Sequence, residues 1–169
     1  MQFSELIKTR YSVRAYKPDN VEQDTLNAVL NAANLAPTAA NRQPIRIIVA
    51  KTENRQQELN RVYHRDWFVQ APLVICACAV PGEAWTRKFD ESNYAVVDAT
   101  IAMDHLILAA AEQGLGTCWI AAFDPKAARD VFDIPEDWEP VALTPLGYPA
   151  DAPKEKKRKS LDEIVTFID

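Results

Sequence analysis

The sequence predicts one layered α+β domain, and three observations predict it. Helical and strand periodicities follow each other in the order α, α, β, α, β, α, β, α, β, and a tail. The run "APLVICACAV" (71–80) is apolar almost throughout, which suits a central strand buried on both faces. The longest helical stretch, 93–113, is apolar on more than one side, so it belongs deep in a core or against another subunit.

The elements follow in order. "FSELIKT" (3–9) predicts a short helix with Phe3, Leu6 and Ile7 inward. In 21–36, Leu26, Val29, Leu30 and Ala33 recur at helical spacing, and Pro37 ends the helix. "IRIIVAK" (45–51) alternates as a strand, with Ile45, Ile47 and Val49 on one face. A polar helix follows at 52–63, with Thr52 as its expected cap. After the central strand, 81–92 is a loop or lid carrying an exposed Trp85; loops of that length in compact domains are often functional. Gly114 stops the long helix. "GTCWIAAF" (116–123) predicts a strand, and Asp124-Pro125 opens another helix by cap and first-turn chemistry. "EPVALTPLGYP" (139–149) is the last core strand. A basic run and a short amphipathic end complete the tail at 154–169.

The chain has 169 residues, 48% of them hydrophobic and 25% charged, enough for one soluble domain, 1–169, with a real core. A net charge of -5 argues against general nucleic-acid binding. The first residues lack the apolar stretch of a signal peptide, and no stretch reaches a membrane span, since Asp98, Asp104 and His105 interrupt the nearest. Three cysteines, Cys76, Cys78 and Cys118, are expected as reduced thiols in the cytoplasm. No C-x-x-C accompanies the two histidines, so no zinc site is expected.

Candidate chemistry is scattered. "TRYSVRAY" (9–16) places Arg10 and Arg14 around Ser12; it is either an anion site or a solvated helix end. "APTAANRQP" (36–44) lets a flat ligand approach the backbone beside Asn41 and Gln43, or is an ordinary connecting loop. "GLGTCWIAAF" (114–123) lacks G-x-G-x-x-G, so a nicotinamide Rossmann site is unsupported. "KEKKRK" (154–159) is a solvated tail or a nucleic-acid patch, and the acidic remainder disfavours the second. Asp98 and His105 share a helix face, as an acid/base dyad or as a polar contact in the core or between subunits. Cys118 has no assignable histidine to activate it as a nucleophile.

Taken together, "TRYSVRAY", "APTAANRQP", "DATIAMDHLILAAAEQGLGTCWI" and "LGYP…KKRKSLDEIV" resemble, in order and spacing, the nitroreductase family of FMN-dependent oxidoreductases, over about residues 3–167. The resemblance implies a layered sandwich with a central mixed β-sheet flanked by helices. It implies an intertwined homodimer with FMN at the subunit interface and the 154–169 tail around the partner. NADH or NADPH would give a hydride to flavin N5. A small-molecule oxidant, such as a nitroaromatic, a quinone or an activated alkene, would take it, and no catalytic side chain is required. A dedicated enone reductase, a reductive dehalogenase and a non-catalytic FMN store are alternatives on the same fold.

By position, Arg10 matches a phosphate ligand and Ser12 a phosphate or ribityl contact. Arg14 matches the cation near flavin N1 and the C2 oxygen, and Lys156 and Arg158 match a basic pair that closes on the phosphate. Pro37, Thr38, Ala39, Asn41 and Gln43 fall in the segment that reaches the flavin from the opposite subunit. Trp119, Ile120, Ala121 and Ala122 match the strand against the ring near N5. Departures are Tyr11, where histidine or arginine is common, and Ala122, where some members have glycine. His64 is the nearest match to a polar ribityl contact. The chain lacks the family's long lid insertions, so a more open pocket, with Trp85 covering part of it, is expected.

Overall fold

The computed structural model describes residues 2–168. The sheet is built around β2 (Leu73–Ala79), whose seven residues are all buried, as its continuous apolar run requires. It pairs antiparallel with β1 (Ile45–Lys51) on one side and β4 (Glu139–Gly147) on the other. β3 (Gly116–Thr117) adds to the far edge of β4, giving the order β1-β2-β4-β3. These ladders are all antiparallel; the parallel pairing expected of a mixed sheet is the single bridge Ser12–Thr117 beside β3.

Alternation along β2 divides the core into two layers. Ile75 and Ala77 face α2 (Gln23–Asn34) and α4 (Ala95–Glu112), meeting Val29, Ala33, Met103 and Leu106. Val74, Cys76 and Cys78 face α3 (Gln56–Val62) and α5 (Pro125–Phe132), meeting Leu59, Val62, Ala128 and Phe132. Each large aliphatic side chain so buried stabilises the fold by about 1.5–3 kcal/mol, so these two layers hold the sheet. The expected thiols are present: the three cysteines are free and buried.

Some expectations need correction. Thr52 does not cap α3. The helix begins at Gln56 with no side-chain cap, while the buried Thr52 hydroxyl donates to the Ala71 carbonyl and fastens β1 to the entrance of β2. The strand expected over 116–123 is only two residues long. At Cys118 the backbone N–H donates to the Thr144 hydroxyl at 3.0 Å instead of a ladder carbonyl, and pairing resumes only at Ile120 with Leu143. In α1 (Phe3–Thr9) Leu6 is buried, but Phe3 and Ile7 are 64% and 47% exposed. On α4, Val96 and Val97 are also exposed, so the surplus apolar face read from the sequence is uncovered in one chain. Trp85 is half-buried, edge-on to Tyr94 at 5.3 Å. Asp124 caps α5 as expected, accepting from Lys126 and Ala127 N–H at 2.9 and 3.0 Å. The short α6 (Leu161–Ile164) buries nothing within the chain and is held by a Ser160/Glu163 capping box.

Candidate functional site

After α1 the chain runs extended along the sheet edge. Val13 N–H donates to Thr117 O at 2.9 Å, and Ala150 N–H donates to Ala15 O at 2.8 Å. Val13 is 1% exposed. With a period of two, Arg10, Ser12 and Arg14 fall on the face opposite that inward Val13. Gly116 makes this approach possible, because a Cβ there would lie 2.7 Å from Val13 Cγ2. Gly116→Ala is expected to lower stability by about 1–3 kcal/mol through overpacking, measurable as a shift in the urea midpoint.

The tail folds back over this segment. Tyr11 Oη donates to the Asp151 carbonyl at 2.7 Å, and Arg14 N–H donates to Asp151 Oδ2 at 2.9 Å. Lys156 Nζ donates to the last carbonyls of α1, Ile7 O at 3.2 Å and Lys8 O. Such cation–carbonyl contacts are favourable at a helix C-terminus. A cleft of about 290 Å³ results, and Arg10, Ser12, Arg14, Lys156 and Arg158 all line it. Partial desolvation, then the charges of Arg10 and Arg158, push the Lys156 ammonium below its ordinary pKa. Burial raises the Cys118 thiol, against the opposing pull of Arg14, a Ser12 hydrogen bond and Arg10, so Cys118 lies in the same field. Among the described residues, none of the four cations has an ion pair; the ion pairs lie elsewhere, at Arg46, Arg55, Arg61 and Arg87. Arg14 sits over the Trp67 ring at 6.0 Å. Lys154 and Lys157 line the cleft too, as do Asp151 and Glu155, and an excess of six cations over two carboxylates suits a multiply charged anion.

Asp151 was not singled out in the sequence. It stands in a turn, "PADAP", with no periodicity or motif to mark it, and only the fold reveals it as the clasp between the tail and residues 11–14.

The 37–43 segment is a second, separate feature. Ala40, Asn41 and Gln43 have φ of 51°, 52° and 53°. Left-handed backbone costs non-glycine residues about 1–3 kcal/mol each, least for asparagine, and such strain concentrates at functional positions. Local bonds hold it: Gln43 N–H donates to the Thr38 hydroxyl at 3.0 Å, and Gln43 Nε2 donates to Asn41 O at 3.2 Å. The Ala39 N–H donates to Asp98 Oδ1 at 2.9 Å. Asp98 and His105 form no dyad, since His105 Nδ1 pairs with the Ile101 carbonyl of its own helix at 3.0 Å.

One chain keeps these two features apart. Asp98 is in the first turn of α4, whereas Ala111, near its other end, borders Arg10 and Tyr11. Thirteen residues of helix separate those positions by about 20 Å. Trp119, Ala121 and Ala122 are exposed on the segment leaving Cys118, with Ile120 buried between them. The His64 side chain is exposed and, among the described residues, makes no hydrogen bond or ion pair with the cleft.

The profile of the nitroreductase family matches residues 7–70 and 52–148. The chain belongs to the nitroreductase family. A curated relative from Methanothermobacter thermautotrophicus, a putative NADH dehydrogenase/NAD(P)H nitroreductase, is 30% identical, and the match covers 97% of this chain and 86% of that one. An FMN reductase [NAD(P)H] of Bacillus subtilis is 26% identical over 87% of this chain and 66% of its own length. Among solved structures, a nitroreductase family protein of Clostridium difficile superposes with a TM-score of 0.88 at 37% identity, covering 99% of this chain and 98% of that one. As a nitroreductase-family chain, the protein has the layered α+β fold of those relatives, built on four strands with helices on both faces.

Proposed function

We propose that this nitroreductase-family chain is an FMN-dependent NAD(P)H oxidoreductase. It works as a homodimer in the cytoplasm on a small oxidised acceptor such as a nitroaromatic or a quinone. The observation that carries this reading is the cleft lined by six cations against two carboxylates, with no ion pair among the described residues that line it. Its charge fits the phosphate of FMN, so the residues present suit the cofactor. The names of the relatives in Methanothermobacter and Bacillus support the nicotinamide and the flavin.

Bound FMN would supply the hydride chemistry between nicotinamide and acceptor. Arg10, Ser12, Lys156 and Arg158 hold the phosphate, with Tyr11 and Asp151 keeping the tail closed over it. Arg14 directs its charge to the pyrimidine end of the flavin. The chain from Trp119 to Ala122 would flank the ring, and His64 would serve the ribityl chain. Ala39 is tied to Asp98, about 20 Å along α4 from Ala111, which borders Arg10 and Tyr11, so Pro37, Thr38, Ala39, Asn41 and Gln43 would complete the site of a second copy. That copy covers Phe3, Ile7, Val96 and Val97, which one chain leaves exposed, and the 161–168 tail, with Phe167 and Ile168 bare, wraps it.

The purified protein is expected to be yellow, to carry one FMN per chain, and to show the mass of two chains by light scattering. Anaerobic mixing with NADH or NADPH should bleach the flavin band at a rate consistent with turnover. A stable monomer with stoichiometric FMN would remove the shared site. Slow bleaching by both nicotinamides would favour a flavin store over an enzyme.

A further inference from the structure

We infer that Asp98 is a positioning residue for the reaction: its carboxylate fixes the strained 37–43 segment, through Ala39 N–H, in the shape that faces the cofactor. This rests on the proposed reading that the segment completes the flavin site of a second copy.

Three observations meet at this side chain. Asp98 is 1% exposed, although it is a carboxylate in the first turn of an otherwise small, apolar helix face formed with Ala95 and Ala99. Its Oδ1 accepts the Ala39 N–H at 2.9 Å, and its Oδ2 has no hydrogen-bond partner among the described residues. The segment it holds contains three non-glycine residues in left-handed conformation, Ala40, Asn41 and Gln43. A buried carboxylate that makes a single backbone bond is poorly explained by stability, because an unpaired charged oxygen is costly to bury. A neutral acceptor would hold the amide at less cost. The bond instead ties α4, an 18-residue helix, to a segment whose own geometry is unfavourable and whose other hydrogen bonds, among the described residues, are local. Anchoring a strained loop to a rigid element is how a surface is held ready for a ligand.

The roles of acceptor and charge are separable. Asp98→Asn keeps an oxygen for Ala39 N–H and removes the charge. Asp98→Ala removes both. Amide hydrogen exchange of the cofactor-free protein is the first readout. In Asp98→Ala, residues 39–43 should lose protection while the α4 peptide from 100 to 112 keeps it. In Asp98→Asn, both regions should retain wild-type protection, with thermal stability equal or higher. The second readout is flavin reduction by NADH in the reconstituted protein. Asp98→Ala should slow it about 10- to 100-fold, as a misplaced contact surface would. Asp98→Asn should stay within about twofold, because the acceptor survives.

Wild-type exchange at 39–43 in Asp98→Ala would overturn the inference. So would loss of protection confined to α4, which is the mark of a purely structural role. Loosened 39–43 amides with an unchanged reduction rate would also overturn it, and so would an Asp98→Asn variant as slow as Asp98→Ala. A wild-type protein that binds no FMN would instead sink the proposed function, and the exchange comparison would still be interpretable.

Discussion

Arg10→Ala is expected to weaken FMN binding by about 10- to 150-fold while changing riboflavin affinity little. A hydrogen bond to a charged group is worth about 1.5–3 kcal/mol, and 1.4 kcal/mol is a factor of ten. Arg10 is the safest choice for this test among the four cations. Lys156 already donates to the end of α1, and Arg158 is exposed, with its guanidinium on the Lys157 carbonyl at 2.9 Å. Removing Lys156 perturbs tail docking as well as charge, and removing Arg158 also breaks a bond within the tail. Arg10 has no carboxylate partner to lose, so its truncation leaves the clasp through Tyr11 and Asp151 in place. Isothermal titration with both ligands decides the matter. Equal losses for FMN and riboflavin would assign Arg10 to the general shape of the cleft and not to the phosphate.

Arg14→Met is expected to lower the potential of the bound flavin by about 30 to 90 mV. A unit charge about 4 Å from developing negative charge is worth about 4 kcal/mol at an effective dielectric of 20. For a two-electron couple about 30 mV corresponds to 1.4 kcal/mol. Arg14 is exposed in the single chain, so solvent screening moves the expectation toward the lower figure. Methionine retains much of the aliphatic stem, although it loses the guanidinium over Trp67, and Asp151 is held by the backbone N–H of residue 14, which the substitution keeps. Packing effects should therefore be small. Hydride uptake from the nicotinamide should slow in parallel, because a fixed charge acts on the same developing charge in the transition state. An unchanged potential with FMN fully bound would refute the role given to Arg14.

Those two residues were visible in the sequence because a resemblance named them; charge alone left Arg10 and Arg14 undecided between an anion site and a helix end. The core was legible for a simpler reason. Leu26, Val29 and Ala33 repeat at the helical period, and β2 is apolar at nearly every position, so burial is written locally. Where long-range bonds compete with local preference, the sequence misleads. Thr52 has the chemistry of a cap, yet Ala71 claims its hydroxyl. Residues 118–123 have the composition of a strand, yet the Thr144 side chain takes the Cys118 amide and interrupts the ladder. Helical spacing left Asp98 between a dyad with His105 and a polar contact in the core or between subunits, and the bond it makes is to Ala39, 59 positions away. Asp151 left no trace at all, since a lone acid in a turn acquires meaning only from the segment folded against it.

The clasp between the two ends of the chain has a consequence for how the protein comes into being. Tyr11 and Asp151 are 140 positions apart, and Lys156 meets Ile7 across 149. At about 5–20 residues per second, the ribosome makes the second half of the clasp about 7 to 28 s after the first. During that interval Arg10 and Arg14 exist without the tail that turns them into a cleft. On the proposed reading, a nascent chain has nowhere to seat the phosphate until Asp151 and the tail are made. Cofactor loading would then be a post-translational event, and an incomplete chain would lack the ligand's stabilisation.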